Sequence, residues 1–371
     1  MNAEQKLSAL RQTMREHNLD AWIIPSADPH LSEYLPEHWQ ARVYFSGFTG
    51  SVGTLVVTAD KAGLWADSRY WEQAAHQLQG SGIELQKVGE VAPYTDWLAA
   101  ELPDGAAAGA AADMLSLTAK RQLETAFAAK NIRLDVSCDI ADAVWTGRPA
   151  LPQETVFPHD AAFVSETAAA KLARVRAAMK EQGAAWHLIS SLDDTAWLTN
   201  LRGSDVPYNP VFLSYLLIGT DSAVLFVDEA KLNPASCALL AEAGIATAPY
   251  AAVREALAEI SDGLLVNPDK TAVSTLQLMP SENRLIENIN PSTLFKSVKS
   301  AADLDHVREA MRQDGAALCG FFAEFERNLA DGAAMNELDI DTMLHKYRSA
   351  RPNFVSLSFN TIAGYNANGA L

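Results

Sequence analysis

Three stretches of the sequence bring together residue types that could do chemistry. In "GFTGSVG" (47–53), Gly47, Gly50 and Gly53 could let backbone N–H groups approach a phosphate. A dinucleotide fingerprint spaces its glycines two and then three apart and opens a helix. Here the spacing is three and three, and the β-branched run "TLVVT" follows. A glycine-rich turn between strands is expected. His30 and Glu33, at helical spacing with His38 close by, are residue types that bind zinc, but Pro29 and Pro36 break up the segment. Asp194 and Asp205 lie eleven apart with Asp193 adjacent, in the manner of an acidic metal pair. Arg202 lies between them and competes for the carboxylates, so turn-capping aspartates are the plainer expectation. There is no HExxH and no G-x-S-x-G, and Ser51 is wrongly flanked for a nucleophile elbow. Cys138, Cys237 and Cys319 are far apart, without a CxxC pair. They are expected to be reduced, buried thiols, as suits a cytoplasmic protein.

The elements that must position these residues form a repeat. The first twenty residues place Leu7, Leu10 and Met14 at helical spacing. They are charged throughout, so they read as an amphipathic helix and not as a signal peptide. "DAWIIPSAD" (20–28) follows as a buried strand. "AAWHLISSLDD" (184–194) follows a second such helix (166–183) in the same way. Each half then gives an aromatic-glycine loop, a strand, a turn and a strand ending in Asp. Ala21 and Ala185 are 164 positions apart, and Asp67 and Asp228 are 161 apart. The near-constant offset implies duplication of one α/β domain. Pro149, Pro152 and Pro158 mark an extended linker between the copies. A second boundary falls near 288–303, where Ser300 and Asp303 resemble a capping box. Two helices are expected next, the first with apolar residues at 304, 307, 311, 318, 322 and 325, the second over 335–350. A strand from Phe354 runs into a Gly/Asn-rich turn. The net charge of −17 argues against nucleic acid and anionic membranes as partners. No run of 18 apolar residues occurs.

Several stretches together resemble one family: "IIPSADPHLSEYLPEHWQARVYFSGFTGSVGTLVVT" (23–58), "AGLWADSRYWEQAAHQL" (62–78), "VWTGRPALP" (144–152), "DDTAWLTNLRGSDVPYNPVFLSYLLIG" (193–219) and "VSLSFNTIAGYNANGAL" (355–371). They look like the three-domain Xaa-Pro aminopeptidases, the aminopeptidase P group of metallopeptidases. The resemblance implies an α/β chain of two tandem creatinase-type N-terminal domains, over 1–150 and 160–296. The start of a pita-bread (α+β) catalytic domain would follow over 300–371. It implies hydrolysis of peptides with proline second, by two divalent ions, usually Mn2+, held by two Asp, one His and two Glu. In the family, the text after "NGA" leads to a catalytic histidine and then to a hairpin resembling D-S-G-A-x-Y-x-x-G-T-T-D that gives the first two ligands. A chain ending at Leu371 would therefore be an N-terminal portion, inactive alone and holding no metal. The alternative is a non-catalytic binding or dimerisation module. A cytoplasmic homodimer, without membrane or nucleic-acid partners, is the expected setting.

By the same resemblance, the substrate-proximal candidates are Arg69, Arg202, Asp205, Asn366, Asn368 and Gly369. Arg69 would shape the substrate entrance or pair with Asp67, and Ser68 stands where the family commonly has Gly. Arg202 and Asp205 would face the catalytic domain or pair with each other. Of Phe321 and Phe322, adjacent on one helix, at least one should be exposed. Residues from about 300 onward are expected to be mobile or to self-associate.

Overall fold

A computed structural model gives the structure, which describes residues 1–280 and 283–369. Thirteen α-helices occur among these residues. They are α1 (Ala3–Glu16), α2 (Ala41–Ser46), α3 (Trp71–Gln77), α4 (Tyr94–Glu101), α5 (Leu117–Phe127), α6 (Ile140–Val144), α7 (Ala168–Glu181), α8 (Leu192–Thr199), α9 (Pro234–Glu242), α10 (Val253–Ala258), α11 (Pro291–Ser297), α12 (Ala301–Ala330) and α13 (Glu337–Ser349). Helix α1 starts at a capping box, with Asn2 accepting from the Gln5 N–H and Gln5 reaching back, and it buries Leu7, Leu10 and Met14.

The duplication is visible in the sheets. Strands β1 (Ala21–Pro25), β2 (Thr54–Thr58), β3 (Ala62–Ala66), β4 (Glu84–Lys87), β5 (Ala107–Ala110) and β6 (Arg133–Asp135) form the first, in the order β4-β3-β2-β1-β5-β6. The linker contributes β7 (Phe157–Pro158), which pairs with β9 (Leu201–Arg202) in a short ribbon. Strands β8 (Trp186–Ile189), β10 (Ser214–Gly219), β11 (Ala223–Val227), β12 (Ala246–Pro249), β13 (Leu264–Val266) and β14 (Leu285–Glu287) form the second, in the order β12-β11-β10-β8-β13-β14. Both sheets have two antiparallel pairings at the centre and parallel pairings outside them.

A tryptophan lies over a glycine of the neighbouring strand in each sheet. A Cβ at Gly109 would sit 2.5 Å from the Trp22 ring, and one at Gly219 would sit 2.8 Å from Trp186. Only glycine allows that approach. In "GFTGSVG" the chain runs as a loop into β2, with Gly47 in the left-handed region at φ 73° as the C-cap of α2.

His30 joins the two halves and is buried. Its Nδ1 lies 2.8 Å from the Ser190 carbonyl, which can only accept, so Nδ1 carries the proton. Nε2 then accepts from the Tyr250 hydroxyl at 2.8 Å. Arg254 bonds Asp113 across the same seam at 2.5 Å.

Helix α12 begins at the Ser300/Asp303 capping box and packs on α13 through Ala317, Phe321 and Leu344. Gly320 lets the Tyr347 ring approach, since a Cβ there would lie 2.6 Å from it. Phe322 is exposed, and so are Leu304, Val307 and Met311. Two expectations are corrected. No strand forms over 354–369, because this segment makes no ladder with a neighbour among the described residues; it runs as coil to a short 3-10 turn at Asn366–Asn368. The cysteines are free but not buried: Cys237 and Cys319 are exposed and Cys138 is half-buried.

Candidate functional site

Helix α8 and the loop after it hold most of the chemistry. The helix ends where Asn200 turns left-handed, at φ 54°. Two cations and a histidine gather at this end. Lys171 sits on the buried stripe of α7, and its ammonium donates to the Trp197 carbonyl at 2.7 Å and to Asn200 Oδ1 at 2.6 Å. Arg202 Nη1 donates to the Ala196 and Leu201 carbonyls at 2.9 and 2.8 Å. The β7–β9 ribbon brings in His159, whose backbone N–H donates to the Asn200 carbonyl at 2.8 Å. Burial, then the Arg202 guanidinium, pushes the Lys171 ammonium down to about 8. Burial and then Arg202 also lower His159, and burial lowers Arg202 itself.

These three residues line a groove of about 1030 Å³ between the second domain and the C-terminal helices and coil. Phe163, Trp197, Phe295 and Phe354 give it apolar walls. It holds seven Lys and Arg against four Asp and Glu, in a chain of net charge −17.

The expected pairing of Arg202 with Asp205 does not form. Arg202 caps α8 instead, and the buried Asp205 pairs with the buried Lys231 while its Oδ2 accepts from the Leu213 N–H at 2.7 Å. Burial pushes the Asp205 carboxyl up, and Lys231 only partly offsets this. The pair fixes the course of the 200–213 loop. At the loop's tip, Tyr208 meets the Tyr34 ring of the first domain, with ring centroids 6.3 Å apart, and bonds the Asn360 side chain.

Arg69 makes a two-point bond to Asp67, at 2.9 and 2.8 Å, on the surface. Asn366 and Asn368 form the 3-10 turn, capped by Gly369, and Asn368 Nδ2 donates to Glu337 at 2.8 Å. The six candidates are thus not brought together: Arg202 and Asp205 share one loop, while Arg69 and the 366–369 turn stand apart from it. Sequence reasoning missed Lys171 and His159. The signal for Lys171 was a lysine on the stripe it shares with Val175 and Met179.

His30, His38 and Asp194, weighed above for a metal, are each engaged by other partners. His30 is held between Ser190 and Tyr250, and His38 Nδ1 lies 2.6 Å from the Pro149 carbonyl. Asp194 accepts from Ser191, Asn290 and Thr293 and pairs with Lys296 at 2.9 Å. Burial would raise this carboxyl, but Lys296 and the other donors outweigh it and hold it low. Among the described residues, no group of three or more His, Cys, Asp or Glu could hold a metal ion.

Comparison with known proteins places the whole arrangement. Residues 6–141 match the creatinase/prolidase N-terminal domain, and residues 147–303 match a second model of the same description. A probable Xaa-Pro aminopeptidase P of Neurospora crassa is 37% identical over 394 aligned residues, covering 100% of this chain and 57% of that protein. Aminopeptidase P2 of Arabidopsis thaliana is 34% identical, with 99% and 57% covered. The chain thus spans a little over half the length of these curated relatives. The crystal structure of an X-prolyl aminopeptidase from Caenorhabditis elegans, described as a cytosolic enzyme with a di-nuclear active site, superposes with a TM-score of 0.92 at 28% identity. The match covers 97% of this chain and 62% of that one. The chain thus consists of two creatinase/prolidase N-terminal domains followed by the opening of a pita-bread domain, and along its length it is similar to Xaa-Pro aminopeptidases.

Proposed function

We propose that this chain serves a metal-dependent Xaa-Pro aminopeptidase, which removes the N-terminal residue from cytoplasmic peptides whose second residue is proline. The likeness to the X-prolyl aminopeptidase fold, over 97% of the chain, carries the reading. That bond calls for a dedicated enzyme, because its tertiary amide lacks an N–H and proline restricts the backbone on both sides. In this reading the two ions, manganese by preference, are held by residues corresponding to the part of the relatives that this chain does not match. The chain alone is inactive on this proposal. It contributes the double-domain scaffold and the substrate-proximal residues Arg69, Arg202, Asp205, Asn366, Asn368 and Gly369, and it associates as a homodimer.

The test is cleavage of two peptides that differ only in proline or alanine at position two, followed by mass spectrometry with added Mn2+. A polypeptide carrying this sequence at the length of its relatives should release the first residue from the proline peptide alone. The 371-residue chain should release none. Equal cleavage of both peptides, or cleavage by the 371-residue chain, would contradict the proposal.

A further inference from the structure

The cations at the end of α8 are not neutralised by their surroundings. Lys171 is only 4% exposed, and neither it nor Arg202 forms an ion pair among the described residues. A plain structural account would have them cap the helix. The carbonyl end of a helix carries about half a negative charge, however, against two full positive ones. The nearest acids are already engaged: Glu166 pairs with Arg174 at 2.7 Å, and Asp303 closes the capping box of α12. Arg202 uses only Nη1, and its Nε and Nη2 have no acceptor among the described residues. Buried charge without a counter-charge is costly. Here it borders an open groove with apolar walls and a net positive lining.

We propose that the end of α8 is an anion site, in which Lys171 and Arg202, with His159 beside them, take a carboxylate carried on an apolar body. The planar fork of Arg202 suits a carboxylate's two oxygens. Phe163 and Trp197, whose ring the Lys171 ammonium overlies at 4.3 Å, line the same groove and offer the apolar surface. The site does not depend on the aminopeptidase reading, and its carboxylate could come from a free ligand or from a further stretch of a longer polypeptide.

His159 reports on the site. Among charged groups, Arg202 and Lys171 lower its proton affinity and Asp160 raises it. Its imidazole would be titrated by NMR in the 371-residue chain, with the resonance assigned through His159→Asn, in N-acetylphenylalaninate at millimolar concentration and in the neutral amide of the same compound. The midpoint should rise by about one pH unit with the carboxylate and not with the amide. Arg202→Met and Lys171→Met should abolish the rise. Arg202→Lys, which keeps the charge and loses the fork, should weaken binding while leaving the fold intact. No rise in the unaltered chain, or an equal rise with the amide, would overturn the proposal. In a polypeptide of the relatives' length, a midpoint already raised and insensitive to the probe would assign the carboxylate to the protein itself. A midpoint that responds to the probe would assign it to a free ligand, and one neither raised nor responsive would overturn the site.

Discussion

The two copies of the domain treat the same junction differently. Helix α2 in the first and α8 in the second both end in a left-handed residue, Gly47 and Asn200, before the chain turns toward the sheet. In the first copy the buried Arg42 satisfies the turn. Nε donates to the Ser26 hydroxyl at 2.7 Å, Nη1 to the Phe48 carbonyl at 2.8 Å, and Nη2 to the Gly50 carbonyl. Burial pushes this guanidinium down to about 10, yet every nitrogen has an acceptor. In the second copy the loop is fixed by the Asp205–Lys231 pair, and Arg202 keeps Nε and Nη2 without an acceptor among the described residues, beside a groove. One fold can therefore use a buried cation as a complete internal cap or as an incomplete one. The incomplete cap is where a ligand can be expected.

The largest effect should come from the second copy's ion pair. Asp205→Ala leaves the Lys231 ammonium buried alone and should cost about 3–5 kcal/mol in urea unfolding. Replacing both partners together, Asp205→Leu with Lys231→Met, should recover most of that, and an equal loss in the double variant would break the account.

A second contrast lies in the sheets, where His187 is buried at the position that Ile23 occupies in the first copy. Burial pushes this imidazole down to about 4. The unfolded chain binds the proton more readily, near the ordinary value of about 6.5. The stabilisation is therefore complete above that pH and is lost as pH falls toward 4, by about 3 kcal/mol in all. His187→Ile should flatten stability over this acid range, measured by thermal melts at stepped pH. An unchanged acid limb would show that other groups govern it.

The two guanidinium groups themselves give a smaller difference. Arg42→Met should cost about 2–3 kcal/mol by leaving buried carbonyls without donors. Arg202→Met, open to the groove, should cost about 1 kcal/mol or less. Equal costs would erase the distinction between complete and incomplete caps. Arg69→Ala comes last. Its pair with Asp67 is on the surface, so the unfolding midpoint should not move, and an altered KM for proline peptides in the longer enzyme would mark it as an entrance residue.

The features legible in the sequence were those with local causes. The repeated helix and strand, the linker prolines and the Ser300/Asp303 cap follow from periodicity and short-range bonds. His30 was read as a metal candidate because its real partners, Ser190 and Tyr250, lie 160 and 220 positions away. The Asp194/Asp205 spacing suggested a pair that tertiary structure splits between Lys296 and Lys231. The strand expected from Phe354 fails for a related reason: a strand needs a ladder, and local sequence does not say whether a neighbour is in place.

The measurement that bears most directly on the account is a calorimetric titration of the 371-residue chain with Mn2+ at neutral pH. On the proposed reading, in which this chain supplies the scaffold and substrate-side residues, no binding tighter than about millimolar is expected. Tight binding of two ions would contradict it and would return the His30, Glu33, His38, Asp193, Asp194 and Asp205 carboxylates and imidazoles to consideration as ligands.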